Sequence, residues 1–123
     1  MLSLTFVLLC CAAVVGGGLA ILYLRGPQAP RPAGAIPIVH AALGATSLAA
    51  LLLALGRGLP QTGMGTAGFG PTAAALLALA LLFGLRLGWM GWRRRRPSEF
   101  LVFTHAGLAI TGLVVLLALV AVG

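Results

Sequence analysis

Residues 2–24 read LSLTFVLLCCAAVVGGGLAILYL and contain no charged side chain. A helix needs about 20 predominantly apolar residues to cross the hydrocarbon core of a bilayer, so this stretch predicts a membrane span. Similar apolar stretches occupy residues 35–55, 71–92 and 100–122. Apolar and polar residues do not alternate with a period of two, which favours helices over a membrane β-barrel. We therefore expect an all-α, four-helix transmembrane bundle forming a single domain over residues 1–123.

The composition agrees with a membrane protein and excludes several kinds of enzyme. Of the 123 residues, 61% are hydrophobic and 7% are charged, whereas about 25% are charged in a typical soluble domain. Glu99 is the only acidic residue. A paired-carboxylate site, a Ser-His-Asp triad and a Ca²⁺ or Mg²⁺ site built on carboxylates are therefore excluded within this chain. We expect a protein that is not an enzyme.

The net charge is +7, and all eight basic residues counted in it are arginines. In a soluble protein such a charge would suggest a nucleic-acid partner, but this sequence lacks the interleaved aromatic and basic residues that stack on bases. We therefore expect no nucleic-acid binding. Arginines at the ends of membrane helices instead fix topology and contact anionic lipid headgroups. That role is predicted for the run formed by Arg93, Arg94, Arg95 and Arg96.

The distribution of arginines also predicts the orientation in the membrane. Seven of the eight lie in or near the first and third connections, and only Arg57 lies in the second. Positive charge is retained on the cytoplasmic side. We therefore expect a multi-pass protein of a bacterial inner membrane, with loops 25–34 and 93–99 in the cytoplasm and both termini outside. Tyr23, Trp89 and Trp92 then lie at the cytoplasmic interface, where aromatic side chains are enriched.

The two halves of the sequence resemble each other. A shift of 65 residues without a gap places Arg31-Pro32 on Arg96-Pro97 and His40 on His105. Residues 1–58 and 66–123 are therefore predicted to be two copies of a helical hairpin. Each copy contains two spans, so the second copy starts on the same side of the membrane as the first. The two copies therefore enter the membrane in the same direction. His40 and His105 should then lie at the same depth.

These histidines are candidate functional residues, because an ionisable side chain inside a membrane span is usually functional. Small residues follow each histidine at offsets of four and seven, on the same side of its helix. They are Gly44 and Ser47 in the first half, and Ala109 and Gly112 in the second. The first and third spans carry glycines near the same depth, which permit close approach of a helix or a planar ligand. These glycines are Gly16, Gly17, Gly18, Gly84 and Gly88.

This arrangement resembles the haem-binding four-helix bundle of b-type cytochromes, in which parallel second and fourth helices supply paired histidine ligands. The resemblance covers helix order and residue types and is not a sequence match. It implies that His40 and His105 ligate the iron of one b-type haem. It further implies that Gly17 or Gly18, Gly84 and Gly44 border the ring, and that Arg86, Arg31 and Arg96 are candidate partners for the propionates. Backbone carbonyls near the helix start, or the hydroxyl of Thr104, are expected to accept the second imidazole N–H.

The preferred function is thus a haem-bearing electron-transfer subunit that works beside a redox partner. Because the sequence has one histidine pair, at most one haem is expected, and it could not carry electrons across the whole membrane. The main alternative is a cofactor-free accessory subunit, in which the histidines pack helices within a larger membrane complex. A proton or metal role for the two histidines and a small multidrug-type transporter are the remaining alternatives. Such transporters depend on a membrane-embedded glutamate, whereas Glu99 lies at the start of its span.

Overall fold

The computed structural model describes residues 2–26, 34–58 and 68–122, and the regular secondary structure of these residues is entirely helical. The elements are α1 (Leu2–Leu24), α2 (Ala35–Gly56), α3 (Phe69–Trp92) and α4 (Glu99–Val122). The predicted all-α fold is confirmed, and each predicted boundary lies within two residues of the observed one. Pro71 lies in the first turn of α3, where its missing N–H would have no partner within the helix.

All four helices are long and apolar enough to cross a membrane. In hydrocarbon every backbone polar group must find a partner inside the protein, and an α-helix satisfies this requirement within one segment. The chain therefore fits a small integral membrane protein. The connections at residues 27–33 and 59–67, which contain Arg31 and most of the glycine-rich second loop, lie outside the described residues.

The helices form a four-membered ring. α1 packs against α2 and α4, and α3 packs against the same two helices. In the described ranges α2 and α4 do not approach each other closely along their backbones, nor do α1 and α3. The members of each of these pairs therefore lie diagonally across the bundle. His40 in α2 and His105 in α4 can meet only through their side chains.

The close-packed core occupies one half of the bundle. In each helix the buried residue nearest the arginine-rich end marks the limit of this core. These residues are Ala12, Ser47, Ala80 and Gly112. Beyond them every described residue is half-buried or exposed. The buried apolar cluster consists of Leu9, Leu51, Ala73, Ala74, Leu77, Leu116 and Leu119. The arginine-rich half is therefore packed more loosely than the other half.

Buried positions repeat between the two halves of the chain, but with two different spacings. In α2 and α4 the spacing is 65, as in the fully buried pair Leu51 and Leu116. In α1 and α3 it is 68, as in the buried pair Ala12 and Ala80. The gapless shift of 65 is therefore correct for α2 and α4 and wrong for α1 and α3. The connection between α1 and α2 is longer than that between α3 and α4, which shifts the register.

Three helices end in the same way, with a positive φ angle one residue after an arginine. The residues with positive φ are Gly26 after α1 (85°), Gly58 after α2 (73°) and Arg94 after α3 (55°). Glycine adopts this conformation without steric cost, whereas a residue with a Cβ rarely does. The preceding arginines place positive charge near the negative end of each helix dipole. They are Arg25, Arg57 and Arg93.

Candidate functional site

The candidate site is the pair of imidazoles at the centre of the bundle. The ring centroids of His40 and His105 are 5.9 Å apart, and the ring planes are inclined by 81°. Both side chains are half-buried, and both lie at the boundary between the close-packed and the looser halves. The two histidines are thus neighbours at one depth, as the spacing of 65 predicts.

Each imidazole is anchored to the neighbouring helix of its own hairpin. The Nδ1–H of His40 donates a hydrogen bond to the carbonyl oxygen of Ala12 (2.9 Å), and that of His105 donates to the carbonyl of Ala80 (2.8 Å). A carbonyl oxygen only accepts, so Nδ1 must carry the proton in both rings. In the neutral imidazole, Nε2 then has a free lone pair. Both rings are therefore held in the tautomer that can bind a ligand through Nε2.

The acceptors differ from those expected. A backbone carbonyl was the right kind of acceptor, but the carbonyls belong to α1 and α3 rather than to the histidines' own helices or to Thr104. Ala12 and Ala80 each precede a glycine by four residues. A glycine one turn later leaves the preceding carbonyl uncovered by a side chain, so a neighbouring imidazole can reach its second lone pair.

The glycines in contact with the imidazoles are Gly16 and Gly84. A Cβ built at Gly16 would lie 2.7 Å from Cε1 of His40, and one built at Gly84 would lie 2.9 Å from Cε1 of His105. These two glycines therefore make room for the imidazoles themselves. Gly17 and Gly18, predicted to border a ligand, face open space, with no atom within 4 Å of a built Cβ. Gly16 corresponds to Gly84 at the spacing of 68 that relates α1 to α3, so that spacing would have identified Gly16 as the glycine beside His40.

The strips of small residues that follow the histidines are used in different ways. Gly44 faces open space, and the buried hydroxyl of Ser47 donates to the carbonyl of Leu43 in its own helix (2.6 Å). In α4 a Cβ at Gly112 would lie 2.9 Å from the side chain of Leu77. The strip of α4 is therefore partly covered by α3, whereas Gly44 remains uncovered in the described structure.

The arginines assigned to the propionates do not join the histidine pair in the described structure. Arg86 is exposed and follows Gly84 by two residues, which places it about 200° around α3 and so on the outer side of the helix. It lines a hollow together with Trp89, Met90, Arg93 and Arg95. Arg96 is exposed in the connection before α4, and Arg31 lies outside the described residues.

His40 and His105 would supply two ligands of one metal ion and do not form a complete protein metal site. The described residues contain no group of three or more histidine, cysteine or acidic side chains that could hold a metal ion. Metal–imidazole bonds are about 2.0–2.1 Å long, so two nitrogens on opposite sides of one metal lie about 4 Å apart. The ring centroids lie 5.9 Å apart, so His40 and His105 would be the residues that hold such a group. The remaining ligands would have to come from the bound group, as they do in haem.

No family model, curated protein or solved structure matches this chain. The chemistry of the two imidazoles and their surroundings is therefore the basis for inferring a function.

Proposed function

We propose that this chain is a small membrane protein that binds one b-type haem between His40 and His105 and exchanges electrons with a partner in the membrane. One observation carries the proposal. Two imidazoles from diagonal helices meet at the bundle centre, and the hydrogen bond at each Nδ1 leaves Nε2 free. A histidine that ligates a metal characteristically donates its other N–H to a carbonyl or carboxylate.

Each residue around the pair then has a definite role. The Nε2 atoms of His40 and His105 would bind the iron, and the carbonyls of Ala12 and Ala80 orient the rings and increase the basicity of Nε2. Haem, when bound, supplies one-electron oxidation and reduction. One histidine pair provides one haem at one depth in the membrane. A single haem cannot carry electrons across the whole membrane, so the proposal includes a redox partner.

The uneven packing of the bundle supports the same function. Between the histidines and the arginine-rich helix ends no described residue is buried, whereas a leucine-rich core fills the other half. The looser packing would give a bound group space on that side of the imidazoles. In our proposal this half faces the cytoplasm of a bacterial inner membrane, because positive charge is retained on that side.

The test is the visible spectrum of the full-length protein, purified in detergent from haem-replete cells and measured oxidised and reduced. We expect about one haem per chain and a bis-histidine, low-spin spectrum. His40→Ala and His105→Ala should each abolish the reduced-minus-oxidised signal. Ser47→Ala is the matched control, because Ser47 bonds only within its own helix. A folded wild-type protein that binds no added haemin would overturn the proposal.

A cofactor-free accessory subunit is the second candidate, and the hairpin contacts favour it. Each histidine donates a hydrogen bond to a carbonyl and lies over a glycine of its own hairpin, so both side chains already hold two helices together. Such contacts can serve helix packing alone. This function predicts a protein with no haem absorption. The His40→Ala and His105→Ala variants should then be less stable than the wild type, with no change in the visible spectrum. It also predicts that cross-linking in intact membranes captures a larger complex.

A further inference from the structure

Arg86 is a cation on the outer face of a membrane span. It lies six residues before the end of α3, and its exposed neighbours Leu82 and Leu85 are 62% and 56% accessible. A charge among lipid-facing side chains is costly unless it reaches the interface or an opposite charge. The sequence offers one acid, Glu99, for eight arginines. The counter-charge for Arg86 must therefore come largely from outside the chain.

The surroundings of Arg86 form a hollow of about 150 Å³ lined by three arginines, one tryptophan and one methionine. The guanidinium carbon of Arg93 lies 4.9 Å from the centroid of the Trp89 ring, a cation–π contact that holds the arginine in place. The hollow is therefore cationic and has an apolar wall at the level where tryptophan marks a membrane interface.

The end of α3 brings the third arginine to the hollow. Arg94 has a φ of 55°, and its N–H donates to the carbonyl of Gly91 (3.0 Å), while the N–H of Arg95 donates to the carbonyl of Met90 (2.9 Å). These two bonds form the Schellman motif, which reverses the chain at a helix C-terminus. Arg95 thereby lines the same hollow as Arg86, although nine residues separate them.

We infer that this hollow binds the phosphate group of an anionic phospholipid. The planar, forked guanidinium groups of Arg86, Arg93 and Arg95 suit phosphate oxygens. The indole of Trp89 suits the boundary between headgroup and acyl chains. The exposed leucines preceding Arg86 on α3 offer an apolar surface for the chains. Haem binding is not required, because the hollow and Gly84 are on opposite sides of α3.

The experiment uses the full-length protein in phosphatidylcholine vesicles that contain a small fraction of pyrene-labelled phosphatidylglycerol. Energy transfer from tryptophan to pyrene measures the association constant of phosphatidylglycerol relative to phosphatidylcholine. The site variants are Arg86→Gln and Arg95→Gln. The control is Arg96→Gln, which removes the same charge from the same run but does not line the hollow. Arg86→Lys tests whether a forked group is needed.

We expect each site variant to lower the relative association constant about tenfold. Arg96→Gln should lower it no more than about fivefold, the effect of one arginine in a diffuse surface field. Arg86→Lys should restore part of the binding. Equal losses in all three glutamine variants would overturn the inference in favour of non-specific attraction. Displacement of the probe by millimolar inorganic phosphate would also overturn it, because the site would then recognise a soluble anion. Arg95 lies outside the membrane spans. The Arg95→Gln variant therefore tests the site even if the Arg86→Gln protein fails to insert into the membrane.

Discussion

The imidazole of His105 occupies the space that a side chain at Gly84 would fill, with Cε1 only 2.9 Å from the Cβ position. His40 and Gly16 have the same relationship in the other hairpin, at 2.7 Å. Real Cβ atoms do not approach other atoms this closely. Each histidine therefore depends on a glycine in the adjacent helix, and the four residues form one central layer of the bundle.

Replacing Gly84 with alanine should displace His105 and break its hydrogen bond to the carbonyl of Ala80. Inserting a methyl group into a filled contact costs about 1–3 kcal/mol, so the thermal midpoint of the detergent-solubilised protein should fall clearly. Gly88→Ala is the matched control, one turn later on the same helix, where a Cβ meets no atom within 4 Å. If the two variants unfold at the same temperature, the contact between His105 and Gly84 does not exist in the protein.

In α1 the corresponding comparison is Gly16→Ala against Gly17→Ala. Only Gly16 lies against His40, whereas Gly17 faces open space. We expect Gly16→Ala to destabilise the protein by about 1–3 kcal/mol and Gly17→Ala to have little effect on unfolding. The reverse order would mean that Gly17, and not Gly16, is the glycine of α1 that lies against His40.

The helix boundaries and the depth of the histidines could be predicted because they follow from composition and from the spacing of His40 and His105. The register of α1 against α3 could not, since leucine-rich sequences match one another at almost any shift. A gapless shift of 65 would align Gly26 with Gly91. Gly26 corresponds instead to Arg94, and both follow a helix end with positive φ. Because one of these positions is a glycine and the other an arginine, their shared backbone conformation cannot be recognised by comparing residue types.

The outward position of Arg86 was also missed, although α3 itself was predicted. Its position follows from its separation from Gly84 by two residues, but only once Gly84 is known to face His105. An apolar helix shows little difference between its inner and lipid-facing sides, because lipid tails are as apolar as the core. The direction of each side chain was therefore determined by packing that the sequence pattern does not reveal.

Arg94→Gly should stabilise the end of α3. At a φ of 55° a residue with a Cβ incurs a steric cost of about 1–2 kcal/mol, part of which is offset by the greater freedom of glycine in the unfolded chain. We expect a net gain of up to about 1 kcal/mol, measured as slower hydrogen exchange of the Arg95 amide, which bonds to Met90. Arg96→Gly, which lacks the positive φ, should not slow that exchange.

Tyr23→Phe should weaken the contact between the end of α1 and the start of α4. The Tyr23 hydroxyl donates a partly buried hydrogen bond to the carbonyl of Pro97 (2.7 Å), and such a bond contributes about 0.5–1.5 kcal/mol. Amide exchange in the first turn of α4 should become faster. Thr111→Val is a suitable control, because its hydroxyl bonds only to Gly107 within α4. Unchanged exchange in Tyr23→Phe would show that the bond does not restrain α4.

Leu51 and Leu116 are fully buried at equivalent positions of the two halves. Truncating a buried leucine to alanine costs about 2–5 kcal/mol in soluble cores. In a membrane we expect about 1–3 kcal/mol, because lipid is as apolar as the core and the loss comes mainly from packing. Leu51→Ala and Leu116→Ala should lower the unfolding free energy by similar amounts, measured by denaturant titration in mixed micelles. The adjacent, exposed Leu52 and Leu117 provide the controls, and their alanine variants should change stability by less than about 0.5 kcal/mol. A large loss in only one half would mean that equal burial does not reflect equivalent packing, and the two hairpins would then not be structural repeats.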